Sequence, residues 1–485
     1  MSLVASIALL ALAADPKVYA LIVANNRAFE APELVPLRYA DDDGAKYFEI
    51  LSLTGDGVSL LSVLDADTQA VFGEAAAKAR APSKRELSEA LERIFAKIAV
   101  DRQADIPTAF YFVYVGHGSI QPDGQGAMHL LDGRFTRADL FHDVIARSPA
   151  TTNHVVIDAC NSYFMVQKRG GDREADRAVL DFLDQETLAR YPNTGVLVST
   201  SQAAEVHEWA RFSAGIFSHE VRSGMMGGAD VDGDGAVSYD EMRAFVTAAN
   251  AAVRDPRAKI SAFSAAPALH RDQPFFSRSL TRRAPSIKIP GGMAGRYWLE
   301  DARGVRYADL HTDGDLSITV VPSPLYFLRN DTSEVRIPLT GFAMADVSQY
   351  PQQPIAIASR GSEAITFQRD LFAVPFGNKY YQGFSSSLPE PAAEIVSFRD
   401  APPSFELRDV LAFSFLGTAA GSLALGITFG VLSSDKAAAH RAAIGANADV
   451  ADLGATSEQY ATTANIMYAV SGGLLAGAAG LWLWP

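Results

Sequence analysis

Cysteine is almost absent: the 485-residue chain has one, Cys160. An intramolecular disulfide is excluded, and any thiol chemistry has a single address. Basic charge is short as well. With 42 Lys and Arg against 56 Asp and Glu, the formal net charge is −14. No basic face is left to neutralise phosphates, which argues against nucleic acid as a partner. Charge of either sign is missing from two long runs near the C-terminus, residues 410–434 and 462–485. What the chain does have is apolar: 48% hydrophobic and 10% aromatic residues, enough for a large core and for more than one domain.

The N-terminal run "MSLVASIALLALAADP" ends in Ala11-Leu12-Ala13 and then turns polar at Asp15. Residues 1–14 read as an export signal with a small-residue cleavage site, though no Lys or Arg precedes the apolar run; the other reading is a short buried element. From 17 to 276, apolar runs alternate with amphipathic ones. Strands are expected at 18–25, 58–64, 108–116, 153–159 and 194–201, and helices at 41–51 and 83–98. The second helix carries Ser83 and Glu86 in capping-box spacing. Strands buried on both faces and separated by helices predict an α/β fold with a mostly parallel sheet flanked by helices.

Residues 283–400 change character. Short alternating runs such as "GRYWLED", "LSITVV", "LYFLRN" and "AITFQRDLFAV" are punctuated by Gly, Pro, Asn and Asp, which predicts a small all-β, sandwich-like domain. "HTDGDLS" (311–317) reads as a hairpin turn within it. The two uncharged C-terminal runs are long enough to cross a bilayer as helices, with a buried helical hairpin as the other reading. Gly417/Gly421 and Gly473/Gly477 would allow close helix approach, and Trp482 and Trp484 would suit a membrane interface. Lys436 and Arg441 in the connection would place it in the cytoplasm and the preceding domains on the exported side.

The chemistry concentrates at two strand ends. "FYFVYVGHGS" (110–119) ends a strand in Gly-His-Gly, and "VVIDACNS" (155–162) ends another in Asp-Ala-Cys. Both deliver their residues to the carboxyl edge of the sheet, where ligands bind in open α/β folds. A thiol beside an imidazole is the minimum nucleophile–base pair: the imidazole favours the thiolate and later donates a proton to the leaving amine. A lone Cys or a lone His is more often structural than chemical; here the two coincide in order and position.

Together these residues resemble the caspase/metacaspase-like cysteine peptidases of bacterial type, in which His-Gly follows one strand and Asp-x-Cys the next. The resemblance spans about residues 17–276 and includes "LRYADDDGAKYF" and "GIFSHEVRSGMMGGADVDGDG". It implies His117 as catalytic base and Cys160 as nucleophile. The backbone N–H groups of Gly118 and Cys160 would form the oxyanion hole. It also implies that Asp158 and Asp43 line the S1 pocket, so that cleavage follows Arg or Lys. Asp41 and Asp42 are expected only to cap a helix. Val115 stands where the family commonly has Ser, and Asn161 where His is frequent. Self-cleavage is expected in "QKRGGDREADR" (167–177), after Lys168, Arg169 or Arg173, a polar exposed segment of the kind proteases cut.

"DVDGDGAVSYDE" (230–241) fits a calcium loop. Asp230, Asp232 and Asp234 fill positions 1, 3 and 5, Gly235 the sharp turn, Ala236 the backbone carbonyl, Ser238 position 9 and Glu241 the bidentate position 12. An acidic, Gly-rich turn is the plainer reading. The sequence as a whole predicts a membrane-anchored cysteine endopeptidase acting on protein or peptide substrates, modulated by calcium, with no organic cofactor. Its rival is an idle caspase-like scaffold that binds a partner at the membrane through the β-rich domain.

Overall fold

The computed structural model describes residues 15–31, 34–55, 57–121, 126–159, 188–200, 208–209, 213–254, 259–281, 284–339, 341, 343–355, 369–387, 407–445 and 451–483. The expected signal (1–14), Cys160 with Asn161, the expected cleavage segment with Lys168, Arg169 and Arg173, and Trp484 all lie outside the described residues. The chain falls into two compact units, Met1–Pro389 and Glu390–Pro485.

In the first unit, strand β1 (Lys17–Asn25) leads into helix α1 (Ala40–Ser52) and strand β2 (Gly57–Ser62) into helix α2 (Lys84–Gln103). Strands β3 (Thr108–Gly116), β4 (Gly118–Ile120), β5 (Gly126–His129), β6 (Thr152–Ala159) and β7 (Thr194–Thr200) follow. Helices α3 (Ile216–Ser223) and α4 (Tyr239–Ala249) and strand β8 (Ser261–Ala265) close this part. The main sheet has the order β8-β7-β6-β3-β1-β2, parallel except for β8, which is antiparallel to β7. The α/β expectation is met, and all five predicted strands are present.

Alternation along the strands sorts the side chains into two cores. Ala109, Tyr111, Val113 and Val115 of β3 face α1, α3 and α4, whereas Phe110, Phe112 and Tyr114 face α2. Every residue of β3 is buried, as a strand covered on both faces requires. Ser83 accepts from Glu86 N at 3.2 Å and starts α2; Glu86 itself turns to Arg85 instead of completing the box.

The β-rich segment forms a five-stranded antiparallel sheet, from Arg306–Thr312 through Gly295–Asp301, Leu325–Arg329 and Ser333–Pro338 to Gln352–Pro354. A three-stranded sheet of Leu316–Thr319, Ser286–Ile289 and Met344–Asp346 lies beside it. Its apolar residues, among them Ile287, Tyr307, Leu310 and Ile318, belong to the same core as α3 and α4. The α/β part and the β-rich segment, expected as separate domains, both lie inside the first unit. Residues 311–317, expected as a hairpin turn, instead carry the chain from one sheet to the other. The described part of the strand expected at 364–374 forms helical turns, in which Phe372 N donates to Ala249 O at 2.8 Å. That bond docks the segment on the end of α4, and the docking takes precedence over β-propensity.

In the second unit, helices α5 (Leu407–Gly445) and α6 (Ala451–Leu483) run antiparallel along each other. Ser433 Oγ donates to Ser457 O and Ser471 Oγ to Ala419 O, each at 3.0 Å. The close approach is made at Gly426, where a Cβ would lie 2.8 Å from the Tyr468 ring; at Gly421 and Gly473, two of the four positions expected to serve this purpose, an added Cβ would meet nothing within 4 Å. Among the described residues no helix is long and apolar enough to cross a membrane. The expectation of two membrane spans finds no support there.

Candidate active site

The two strand ends meet at the carboxyl edge of the sheet. Strands β3 and β6 are neighbours in parallel register from Ala109↔Thr152 to Gly116↔Ala159. His117 follows the last pair on β3, and position 160 is the next residue after the last pair on β6. The sheet reverses its winding between β1 and β3, the switch point at which such sheets open a crevice. Gly116 is needed there: a Cβ would lie 2.7 Å from Tyr114 Oη and 2.9 Å from Asn25 O.

His117 is only 5% exposed, and its Nε2 is buried with no hydrogen-bond partner among the described residues. Burial pushes the imidazole pKa down, with the Val35 backbone working the other way. A neutral imidazole with an unused nitrogen is the state a general base needs before it takes a proton. Gly118, buried, opens β4 directly behind it.

Asp43 and Asp158, far apart in sequence, are brought together around Gly215. A Cβ on that glycine would sit 3.1 Å from Asp158 Oδ2 and 3.2 Å from Asp43 Oδ2. Gly215 N donates to Asp43 Oδ2 at 2.7 Å, and Ser218 N to Asp158 Oδ2 at 3.0 Å, with the Ser218 hydroxyl on the same oxygen. Burial pushes Asp158 up to about 7, opposed by the Ser218 hydrogen bonds. Asp43 is also raised by burial, while Arg222 and Lys46 beside it pull down.

Three residues that the sequence did not single out complete this cluster. Arg222 of α3, fully buried, lies 2.7 Å from Asp43 Oδ1. Lys46, buried on α1, donates to Ser213 O at 2.6 Å, and burial lowers it to about 8. Ser218 orients Asp158. Each belongs to a helix whose sequence reads as amphipathic; the available signal was that Arg222 falls among apolar neighbours in "GIFSHEVRSGMM". A cation buried on every side needs a buried anion.

Asp41 and Asp42 do more than cap α1. The N-cap is Tyr39, with no side-chain cap bond. Asp41 accepts from Asn26 Nδ2 at 2.7 Å and from Asp65 N at 2.8 Å, stapling the loops after β1 and β2. Asp42 accepts from Thr68 Oγ1 at 3.2 Å, and burial pushes it up to about 7.

In the expected calcium loop, Asp230, Asp232 and Asp234 each place an oxygen within 4.8 Å of the others. Gly233 and Gly235 take φ of 78° and 87°, and their N–H groups donate to Asp230 at 2.9 and 3.1 Å. Ala236 pairs with Ser277 in a short antiparallel ladder. Ser238 and Glu241 are engaged elsewhere. They form a capping box on α4, with Glu241 accepting from Ser238 N at 2.8 Å and Val231 N at 3.2 Å. Arg278 Nη2 sits 3.0 Å from Asp230 Oδ2. Three converging carboxylates suit a hard divalent cation.

No protein-family model matches the chain, and no curated protein matches it. Among solved structures, the crystal structure of caspase-1 from Spodoptera frugiperda is similar at 12% identity and a TM-score of 0.34, over 52% of this chain and 87% of that one. A structure of pro-sf-caspase-1 is similar at 11% identity and a TM-score of 0.26, over 43% and 70%. The fold is defined by the strand order and register of the main sheet.

Proposed function

We propose that this chain is a caspase-like cysteine endopeptidase, with Cys160 as nucleophile and His117 as base. The observation that carries the reading is the β3–β6 register: it ends at Gly116↔Ala159, one residue short of both groups. The buried, unpartnered Nε2 of His117 agrees with it. The thiolate would add to the scissile carbonyl, and the oxyanion would be met by the N–H groups of Gly118 and Cys160. Proton delivery from His117 would release the amine, and water would then cleave the thioester.

A preference for Arg or Lys at P1 rests on the two carboxylates beside Gly215. Asp43 is already paired with Arg222, so the preference falls mainly on Asp158. Calcium at Asp230, Asp232 and Asp234 would neutralise mutual repulsion at the entrance to α4, and recruiting Glu241 would require it to leave its cap. Self-cleavage within 167–177 belongs to the same reading.

The test uses fluorogenic Arg and Asp peptides, with and without calcium, against Cys160→Ala. Cleavage after Arg that is abolished in the variant supports the proposal. Equal rates for the two proteins, or no turnover beside intact partner binding, refute it and leave the scaffold. Because Cys160 is the sole thiol, its alkylation by iodoacetamide reads the pair directly. His117→Ala is expected to move the alkylation midpoint up toward the ordinary thiol value near ~8.5.

A further inference from the structure

The peptide unit joining His117 to Gly118 carries a carbonyl at one end and, at the other, the N–H proposed to receive the oxyanion. Because the unit is planar and trans, the two point in opposite directions. Whatever fixes the carbonyl therefore aims the N–H.

Two donors fix it. Tyr114 Oη lies 2.7 Å from His117 O, and His129 N donates to the same oxygen at 3.1 Å. The second bond marks 117 and 129 as a hydrogen-bonded pair on the β4–β5 ladder. Gly118 and Met128, next along, are then the non-hydrogen-bonded pair, which turns the Gly118 N–H away from β5. Tyr114 is itself held in place: it accepts from His129 N at 2.9 Å and lies 3.0 Å from His129 O. Burial raises its pKa far above the usual phenol range, so the hydroxyl keeps its proton.

The chain is clamped on the other side of Gly118 as well. His129, fully buried, accepts from Phe29 N at Nδ1 (3.0 Å) and lies 2.7 Å from Ser119 Oγ at Nε2. The acceptor role of Nδ1 leaves the proton on Nε2, so a neutral His129 donates to Ser119. Ser119 is thereby an acceptor and not an activated nucleophile.

We propose that Tyr114, with the Ser119–His129 pair, positions the oxyanion hole by pinning the residues on either side of the Gly118 N–H. This rests on the peptidase reading. When the Cys160 sulfur adds to the carbonyl carbon, the C=O π pair moves to oxygen. That oxyanion meets an N–H already aimed at it. As the pair returns, the C–N bond breaks and the amine takes its proton from His117.

The experiment compares wild type with Tyr114→Phe, which keeps the ring and removes the hydroxyl, and with Ser119→Ala, at a half-buried residue. Three quantities are measured: kcat and KM on a fluorogenic peptide, inhibition by the matching peptide aldehyde, and the pH profile of Cys160 alkylation by iodoacetamide. Aldehyde adducts place an oxygen in the hole; alkylation builds no oxyanion. Tyr114→Phe is expected to lose about 10- to 100-fold in kcat and in aldehyde affinity, less than deleting a donor outright. KM and the alkylation profile should stay put. Ser119→Ala should lose kcat in the same sense by a smaller factor, and it carries the test if Tyr114→Phe proves unstable. Variants within twofold of wild type in kcat overturn the proposal, as does a kcat loss that tracks a shifted alkylation profile. A wild type that is alkylated but neither cleaves peptides nor binds the aldehyde defeats the peptidase reading, and this proposal with it.

Discussion

Arg222→Met tests the electrostatics of the carboxylate cluster. Both members of the Arg222–Asp43 pair are fully buried, with nitrogen and oxygen 2.7 Å apart. At an effective dielectric constant of ~20, two unit charges at that distance attract by about 6 kcal/mol. Burial of the two groups offsets part of this, so the pair as a whole is worth less than the attraction alone. Removing only the cation leaves Asp43 charged and buried, a loss of about 3–5 kcal/mol. Asp43 can escape by taking a proton, since burial already raises its pKa. The penalty should therefore be smaller at pH 5 than at pH 8. Asp43→Asn with Arg222→Met removes both charges and should recover most of the loss. The assay is urea unfolding at both pH values, with midpoint and slope recorded together. A single-variant loss below about 1 kcal/mol at pH 8, or a double variant no better than the single, would refute the argument.

Other outcomes follow from the same cluster and its surroundings. Gly215→Ala places a methyl group 3.1–3.2 Å from both carboxylates; it should reduce kcat/KM for Arg peptides more than the fold's stability, read by kinetics beside a thermal melt. Asp158 is raised to about 7 by burial, so the native state holds a proton that the unfolded chain releases near pH 4. Stability should fall between about pH 4 and 7, and the slope should be shallower in Asp158→Asn, measured by unfolding across that range. Calorimetry should show calcium binding that Asp230→Ala abolishes and Arg278→Met strengthens, because Arg278 competes for the same oxygen; no heat in the wild type would remove calcium from the account.

The strands of the sheet were legible because burial on both faces leaves a continuous apolar run, as in "TAFYFVYVG". His117 was legible for a different reason: it stands between glycines at a strand end, beside the strand that ends in Asp-Ala-Cys; its burial was not legible. Tyr114 and His129 were not. In sequence, one reads as a core aromatic and the other as a lone histidine, and their role depends on a tautomer and a ladder phase that only three-dimensional pairing sets. Arg222 was missed because an amphipathic sequence suggests that its polar side faces solvent, whereas every residue of α3 is buried and the partner Asp43 lies on a helix far away in sequence. The turn at 311–317 was misread because local turn chemistry fixes a reversal but not which sheet receives the next strand.

Helix α3 links the proposed chemistry to the rest of the first unit. Ser218 holds Asp158, His219 Nε2 meets Asp309 at 2.8 Å, Glu220 accepts from Asn250 at 2.7 Å, Arg222 meets Asp43, and Ser223 Oγ accepts from Asp309 N at 3.0 Å. Asp309 belongs to the β-rich segment. The helix is thus keyed on one side to the strand ends of the main sheet and on the other to a strand more than eighty residues later. A rotation of α3 that relaxed one set of contacts would break the other. Through α3 the β-rich segment thus acts as the outer half of a mould around Asp43 and Asp158, and under the proposed function a change in it is expected to alter P1 preference without approaching the bond.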